Sequence, residues 1–322
     1  MIEEGLRNLV YPATASTLYD PIRYTLDSGG KRVRPTLVLI AANLYTEDIQ
    51  AALKPALGIE MYHNFTLLHD DVMDKAPTRR NRPTVHVKWN DNQAILSGDA
   101  MEGLAYQLIA EAPPRVLKNV ISIFNLMNQE ICQGQQYDME FETRDNVTIE
   151  EYIEMIRLKT SVLLGRALQI GAYIGQDKQY GNLTEIGVNR YDWLDRDIET
   201  LLYFGTSLGL AFQLQDDWLD CWGDPKTFGK RIGGDILENK KTFLRITALA
   251  NAPEPDTEGM TEQQKIETYK NYYKKSGAEK ACRLAIARYH QEALKALQNM
   301  SMPQAKLQLL KDIAEKLENR SK

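Results

Sequence analysis

LLHDDVMDKAPTRRNRP, residues 67–83, places three aspartates within five positions at the end of an apolar run and follows them with two adjacent arginines. On an α-helix at about 100° per residue, positions i and i+4 lie roughly 40° apart and one turn along, so Asp70 and Asp74 project from one face. His63, seven residues before Asp70, joins that face. Two carboxylates held together repel by on the order of 1 kcal/mol at 4 Å in water, and by several times that beside a low-dielectric wall. A cation is therefore expected between them, and the usual one is a divalent metal.

The pattern returns in LQDDWLDCWGD, residues 214–224, where Asp216, Asp217 and Asp220 again stand at the polar end of an apolar run. A single Asp-Asp-x-x-Asp arises by chance in roughly one chain in fifteen of this length, and two copies in far fewer than one in a hundred. Both clusters are carboxylate without cysteine or a second close histidine, which suits a hard, oxygen-seeking ion such as Mg²⁺ better than Zn²⁺. Cations gather around the acids: Lys31, Arg32 and Arg34 in GGKRVRP, Arg79 and Arg80 after the first motif, and Lys230, Arg231, Lys240 and Lys241 after the second. Each group lies beside Gly or Pro, where backbone N–H groups can add donors for an anion. The combination fits a diphosphate site with two subsites, one reached through Mg²⁺ and one lying directly on Lys and Arg. Residues 223–230 read G-x5-G-K followed by Arg231, one residue too long for a phosphate-binding P-loop and lacking its Ser or Thr, so a nucleoside triphosphate is not the favoured ligand.

The 322 residues are 43% hydrophobic and carry a formal net charge of -5. No basic tract is interleaved with aromatics, which sets nucleic acid aside as a partner. The three cysteines, Cys132, Cys221 and Cys282, share no metal or redox spacing and read as small buried side chains. The amino-terminal MIEEGLRNLVYPATAS lacks a charged-then-apolar signal, so a cytoplasmic enzyme with free thiols is expected. The longest uncharged run, LLYFGTSLGLAFQLQ at 201–215, falls short of the roughly 18 to 20 apolar residues of a membrane span and reads as a helix buried on all sides.

Apolar residues recur three and four apart over 36–50, 53–66, 116–142 and 150–174, and strand-like alternation is hard to find. A single, mostly α-helical domain over 1–322 is expected. Turn signals interrupt it at 27–35, 76–83, 221–235 and 251–259, and helical spacing resumes over 262–297. Glu60-x-x-His63 imitates half of a carboxylate-bridged di-iron site, but none of the other histidines, His69, His86 and His290, has a Glu three residues earlier, so that reading fails.

GGKRVRP, LLHDDVMDKAPTRRNRPTVH, SGDAM, LKTSVLLGRA, FQLQDDWLD and FGKRIGGDILENKKT run in order from Gly29 to Thr242. In that order and at roughly that spacing, the chain resembles the trans-isoprenyl diphosphate synthases, the polyprenyl synthetase family. The resemblance implies an all-α isoprenoid-synthase bundle around a deep central cavity, usually a homodimer, that condenses isopentenyl diphosphate head-to-tail with an allylic diphosphate. It implies Mg²⁺, commonly three ions, at a metal site built from Asp70, Asp71, Asp74, Asp216, Asp217 and Asp220. Within that set Asp70, Asp74 and Asp216 match the direct ligands, and Asp71, Asp217 and Asp220, with Asp235, match the residues that steady waters or neighbours. Arg79, Lys159 and Lys230, with Lys240 nearby, match contacts to the allylic diphosphate. Lys31, Arg34, His63 and Arg80 match those to isopentenyl diphosphate, and Lys159, Thr160 and Gln213 match oxygens that face the carbocation. Tyr152, Met155 and Leu158, at helical spacing beside Lys159, read as core.

In the family, residues four and five before the first aspartate commonly floor the cavity, and here these are Thr66 and Phe65. They sit roughly 6 and 7.5 Å deeper along the helix axis. An aromatic at the fifth position with a small residue at the fourth resembles enzymes of the geranylgeranyl type, so a twenty-carbon product is expected, with the fifteen-carbon farnesyl product as the alternative. Asn81 stands where Gly is frequent in the family, which bears on the turn that presents Arg79 and Arg80. Both motifs are intact, which disfavours an inactive partner subunit, and the second is not the Asn/Ser/Glu type of a terpene cyclase.

Overall fold

A computed structural model describes residues 1–185, 192–224 and 232–319 of the chain. Its regular structure is helical throughout apart from one small hairpin. In chain order the helices are α1 (Ile2–Arg7), α2 (Asp20–Leu26), α3 (Val33–Asn43), α4 (Gln50–Met73), α5 (Val85–Lys88), α6 (Asp91–Ile109), α7 (Leu117–Thr143), α8 (Ile149–Ile156), α9 (Val162–Glu185), α10 (Asp192–Trp222), α11 (Gly234–Leu237), α12 (Phe243–Asn251), α13 (Glu262–Lys275), α14 (Ala278–Gln298) and α15 (Gln308–Glu318). The hairpin joins β1 (Thr78–Arg79) to β2 (Arg82–Pro83), antiparallel, with Arg79 opposite Arg82. Among the described residues no helix is long and apolar enough to cross a membrane.

The chain forms two compact units, Met1–Phe124 with Ala167–Leu194, and Asn125–Arg166 with Asp195–Lys322. In the first, α4 packs along α6 and α3. Tyr62 of α4 meets Phe124 edge-on at 5.2 Å between ring centroids, and Tyr106 of α6 meets the same ring at 4.8 Å. Tyr62, Phe124, Ile59, Met61 and Met101 are fully buried, each contributing about 1.5–3 kcal/mol of apolar transfer. In the second unit, Met155 and Ile156 of α8, Leu210 and Leu214 of α10, Phe243 of α12 and Tyr269 and Tyr273 of α13 belong to one buried cluster. Helix α8 starts at a reciprocal cap: the Thr148 hydroxyl accepts from Glu151 N, and the Glu151 carboxylate accepts from Thr148 N.

Several expectations move. The helix read over 36–50 stops at Asn43, because side chains close a turn there: Asn43 Nδ2 donates to Thr46 O, Asp48 N to Thr46 Oγ1 and Gln50 N to Asp48 Oδ1. The next helix starts at Gln50 and continues to Met73, so the first aspartates belong to it. The reading over 150–174 is broken by a π-helical turn, Arg157–Ser161, and that over 262–297 by Gly277 at φ 80°. The 201–215 run is not buried on all sides. Tyr203 is 52% exposed, and its hydroxyl donates to Glu292 Oε2 at 3.1 Å. Cys221 and Cys282 are buried, but Cys132 on α7 is exposed; all three are free thiols.

Candidate active site

Asp70 and Asp71 lie in the last turn of α4 and Asp74 caps its end. Asp220 lies in the last turn of α10, with Asp216 and Asp217 one turn earlier. The carboxyl end of a helix is already the negative end of its dipole, and each acid there costs about 0.3–1 kcal/mol that a cation recovers. Asp70 and Asp216 are half-buried and Asp74 is exposed, whereas Asp71, Asp217 and Asp220 are buried.

The buried three are engaged by the protein. Asp71 Oδ1 accepts from Arg79 Nε at 2.6 Å. Burial pushes its carboxyl up to about 6 against the pull of Arg79. Asp217 accepts a short hydrogen bond from the Tyr152 hydroxyl and a long one, 3.4 Å, from Gln213 Nε2. Burial, with the neighbouring Asp235 and Asp216 carboxylates, raises its pKa well above the ordinary value. Asp220 accepts from the backbone N–H groups of Gly234 and Asp235 at 3.1 and 3.2 Å, and so fixes the start of α11. Tyr152 is core, as its spacing indicated, and its hydroxyl also serves the second motif.

Around the first motif the basic residues make one connected group. Arg34 Nη1 donates to His63 Nε2 at 3.1 Å, so that nitrogen accepts and the imidazole is neutral. Burial lowers the His63 pKa well below the usual value, and Arg34, Arg80, Arg79 and Arg32 push it the same way. Burial also brings Arg34 down to about 10, with Glu60 opposing and Arg80 adding to the fall. Arg34 Nε is buried and has no hydrogen-bond partner among the described residues. Arg80 Nη1 donates to Ser28 Oγ at 3.0 Å and makes a short contact to Gly29 O, tying the β1–β2 turn to the GGKRVRP loop. Arg80 and Asn81 are the two turn residues, at φ 51° and 59°. That is the left-handed pair a two-residue hairpin requires, and Asn tolerates it almost as Gly does. Lys31 is exposed at the rim of the same loop. Thr66 Oγ1 donates to His63 O, and the half-buried Phe65 ring lies edge-on to Tyr62 at 5.4 Å and to His69 at 4.8 Å.

In the second unit Lys159 sits on the π turn, and its Nζ donates to Asp138 Oδ2 of α7 at 2.6 Å. A Cβ on Gly134 would stand 2.2 Å from Lys159 N, and one on Gly209 2.6 Å from Ser161 Cα. These two glycines let α7 and α10 approach the widened turn, and such single π turns are frequent at functional sites. Thr160 Oγ1 and Gln213 Oε1 are 3.4 Å apart. Lys240 lies 3.1 Å from Glu238 and 3.9 Å from Asp235, exposed. Lys230 lies outside the described residues. Asp138, Glu60 and the Tyr152 hydroxyl escape a reading of spacing; the sequence signals for them are a glycine, Gly134, four residues before Asp138, and a glutamate three before His63.

Mg²⁺ is characteristically held by one or two carboxylates together with water and substrate phosphate, not by an all-protein cage. Among the described residues no group of three or more His, Cys, Asp or Glu side chains is gathered to hold a metal alone. In the first unit, Asp70 and Asp74 at the negative end of α4 are hard oxygen donors of the type this ion takes, and the arginines there suit phosphate oxygens; in the second, Asp216 on α10 is a donor of the same type.

The polyprenyl synthetase family model matches residues 15–283. The geranylgeranyl diphosphate synthase of Methanosarcina mazei is 37% identical over 270 residues, 83% of this chain and 78% of that protein. A crystal structure of a geranylgeranyl pyrophosphate synthase superposes with a TM-score of 0.89 at 42% identity, covering 100% of this chain and 97% of that one. The geranylgeranyl pyrophosphate synthetase of Pyrococcus horikoshii superposes at 0.86 and 34% identity, covering 98% and 94%.

Proposed function

Because the chain belongs to the polyprenyl synthetase family, and is thus a prenyltransferase of all-α fold, we propose that it condenses isopentenyl diphosphate with an allylic diphosphate to give geranylgeranyl diphosphate. The observation that carries the assignment is the half-buried arginine group: Arg34, Arg80 and neutral His63, with the buried Arg34 Nε unpartnered among the described residues. Arg34 and Arg80 share one buried carboxylate, Glu60, with Arg32, which pairs with it directly, while Arg79 is paired with Asp71. Buried charge of one sign needs a counter-ion, and a diphosphate with bidentate oxygens supplies it. The geranylgeranyl names of similar relatives, with Phe65 and Thr66 below the first aspartate, support twenty carbons; the farnesyl product is less supported.

In this reading Lys31, Arg34, His63 and Arg80 hold isopentenyl diphosphate, and Arg79, Lys159, Lys230 and Lys240 serve the allylic diphosphate. Asp70, Asp74 and Asp216 are the Mg²⁺ ligands, and Asp71, Asp217 and Asp220 hold the motifs in shape. Bound Mg²⁺, three ions in the family's pattern, supplies Lewis-acid neutralisation of the leaving diphosphate. Lys159, braced by Asp138, is aimed at charge that grows as the C–O bond breaks, which is where a preorganised cation lowers a barrier most. Thr160 Oγ1 and Gln213 Oε1 turn lone pairs toward the allylic cation. The homoallylic double bond attacks that cation and the departing diphosphate takes the proton, so the protein's share is orientation and exclusion of water.

We further read the enzyme as a cytoplasmic homodimer. Ile95 and Leu96 on α6, and Leu126, Tyr137 and Met139 on α7, are apolar side chains at least 40% exposed, which supports cover by a second copy. The test is consumption of geranyl or farnesyl diphosphate by the purified chain, with and without isopentenyl diphosphate and Mg²⁺. Turnover only when all three are present supports the synthase; turnover without isopentenyl diphosphate means a cyclase, and none at all means a subunit that needs a partner.

A further inference from the structure

Arg32 is the odd member of GGKRVRP. Lys31 before it is exposed, while Arg32 is buried to 8% at φ 47°. Its Nη1 donates to Glu60 Oε1 at 2.6 Å, its Nε to Glu3 Oε1 at 2.7 Å and its Nη2 to Leu26 O at 2.7 Å. Its carbonyl accepts from Thr36 N and Thr36 Oγ1, which sets the first turn of α3. Two residues on, Arg34 reaches His63. Glu60 and His63 are three apart on α4, so one face of that helix grips Arg32 and meets Arg34. Glu60 also accepts from Asn64 Nδ2 at 3.0 Å, which holds the carboxylate in place. The loop is thus fixed at Gly29 by Arg80, at Arg32 by Glu60 and Glu3, and at Arg34 by His63.

From this geometry we infer that Arg32 binds no substrate: with Glu60 and Glu3 it is a positioning group that presents Lys31 and Arg34 to isopentenyl diphosphate, and it makes α1 part of that subsite's scaffold. A left-handed, non-glycine residue is strained and persists where its surroundings dictate it. Here three hydrogen bonds from one guanidinium do so. Lysine cannot replace it, since a point charge has no fork to bridge two carboxylates and a carbonyl.

The inference depends on the assignment of Lys31 and Arg34 to isopentenyl diphosphate, and the experiment separates the two. Steady-state KM for each substrate is measured for wild type, Arg34→Ala, Glu60→Gln, Arg32→Lys and Glu3→Gln, each checked for folding by circular dichroism. Glu60→Gln and Arg32→Lys are expected to raise KM for isopentenyl diphosphate about tenfold, and Glu3→Gln about threefold, with KM for the allylic diphosphate unchanged. Glu3 is half-exposed, so its variant folds even where the buried ones do not and carries the test alone. Equal changes in both KM values, or an unaltered isopentenyl diphosphate KM in Glu3→Gln, overturn the positioning role. Should Arg34→Ala leave that KM unchanged as well, the subsite assignment itself falls.

Discussion

His63 sits in a strongly positive surrounding within the first unit. It is buried among Arg34, Arg80, Arg79 and Arg32, and it stays neutral in the fold because charging it would cost both desolvation and repulsion. In the unfolded chain it takes a proton as pH falls through about 6.5. The unfolded state then binds more protons than the folded one, so stability is lost on acidification, by at most about 1.4 kcal/mol per pH unit. Urea unfolding between pH 7.5 and 5 should therefore show a steeper loss in wild type than in His63→Gln; parallel slopes would mean that His63 protonates in the fold. At the same scale, Phe65→Ala should lengthen the product beyond twenty carbons without abolishing turnover, read by chromatography of the dephosphorylated alcohols. An unchanged product would move the chain-length stop elsewhere. Residue roles were only partly legible in the sequence. The six aspartates and the arginine pair announce themselves by repetition and charge, but spacing gives no sign that Asp71, Asp217 and Asp220 face protein donors or that Arg32 turns inward, because those facts depend on Arg79, Tyr152, Gly234 and Glu60 arriving from other segments.

At the scale of elements, the helical spacing that located parts of α4 and α7 could not show the π turn at Arg157–Ser161. LKTSVLL continues an apolar rhythm, and one inserted residue shifts the phase without breaking it. What marks the turn is the pair of glycines on neighbouring helices. Gly134→Ala would drive a methyl group into the backbone of Lys159. The expected cost is about 1–3 kcal/mol of stability, and activity should fall further than stability because Lys159 moves with that backbone. Chemical denaturation and kcat, measured together, check this. A variant with lowered stability and full kcat would leave the turn a packing feature only.

For the whole molecule, sequence reading reached the all-α class and the motif order, and the family match bears both out. We propose that the chain behaves as one prenyltransferase domain. A thermal scan should then show one transition, raised in temperature by inorganic diphosphate and further by Mg²⁺ added with it, because ligand that binds only the folded form adds stability by mass action. Two separate transitions would contradict the single domain.

We propose that the acidic end of α4 drives the chain elongation that yields twenty carbons. It is tested most directly by incubating purified protein with labelled isopentenyl diphosphate, farnesyl diphosphate and Mg²⁺, beside Asp70→Ala. The prediction is a twenty-carbon diphosphate from wild type and a fall of at least about a hundredfold in the variant, the order expected when one transition-state electrostatic contact is lost. Incorporation that persists in Asp70→Ala, or no incorporation by wild type, would contradict it.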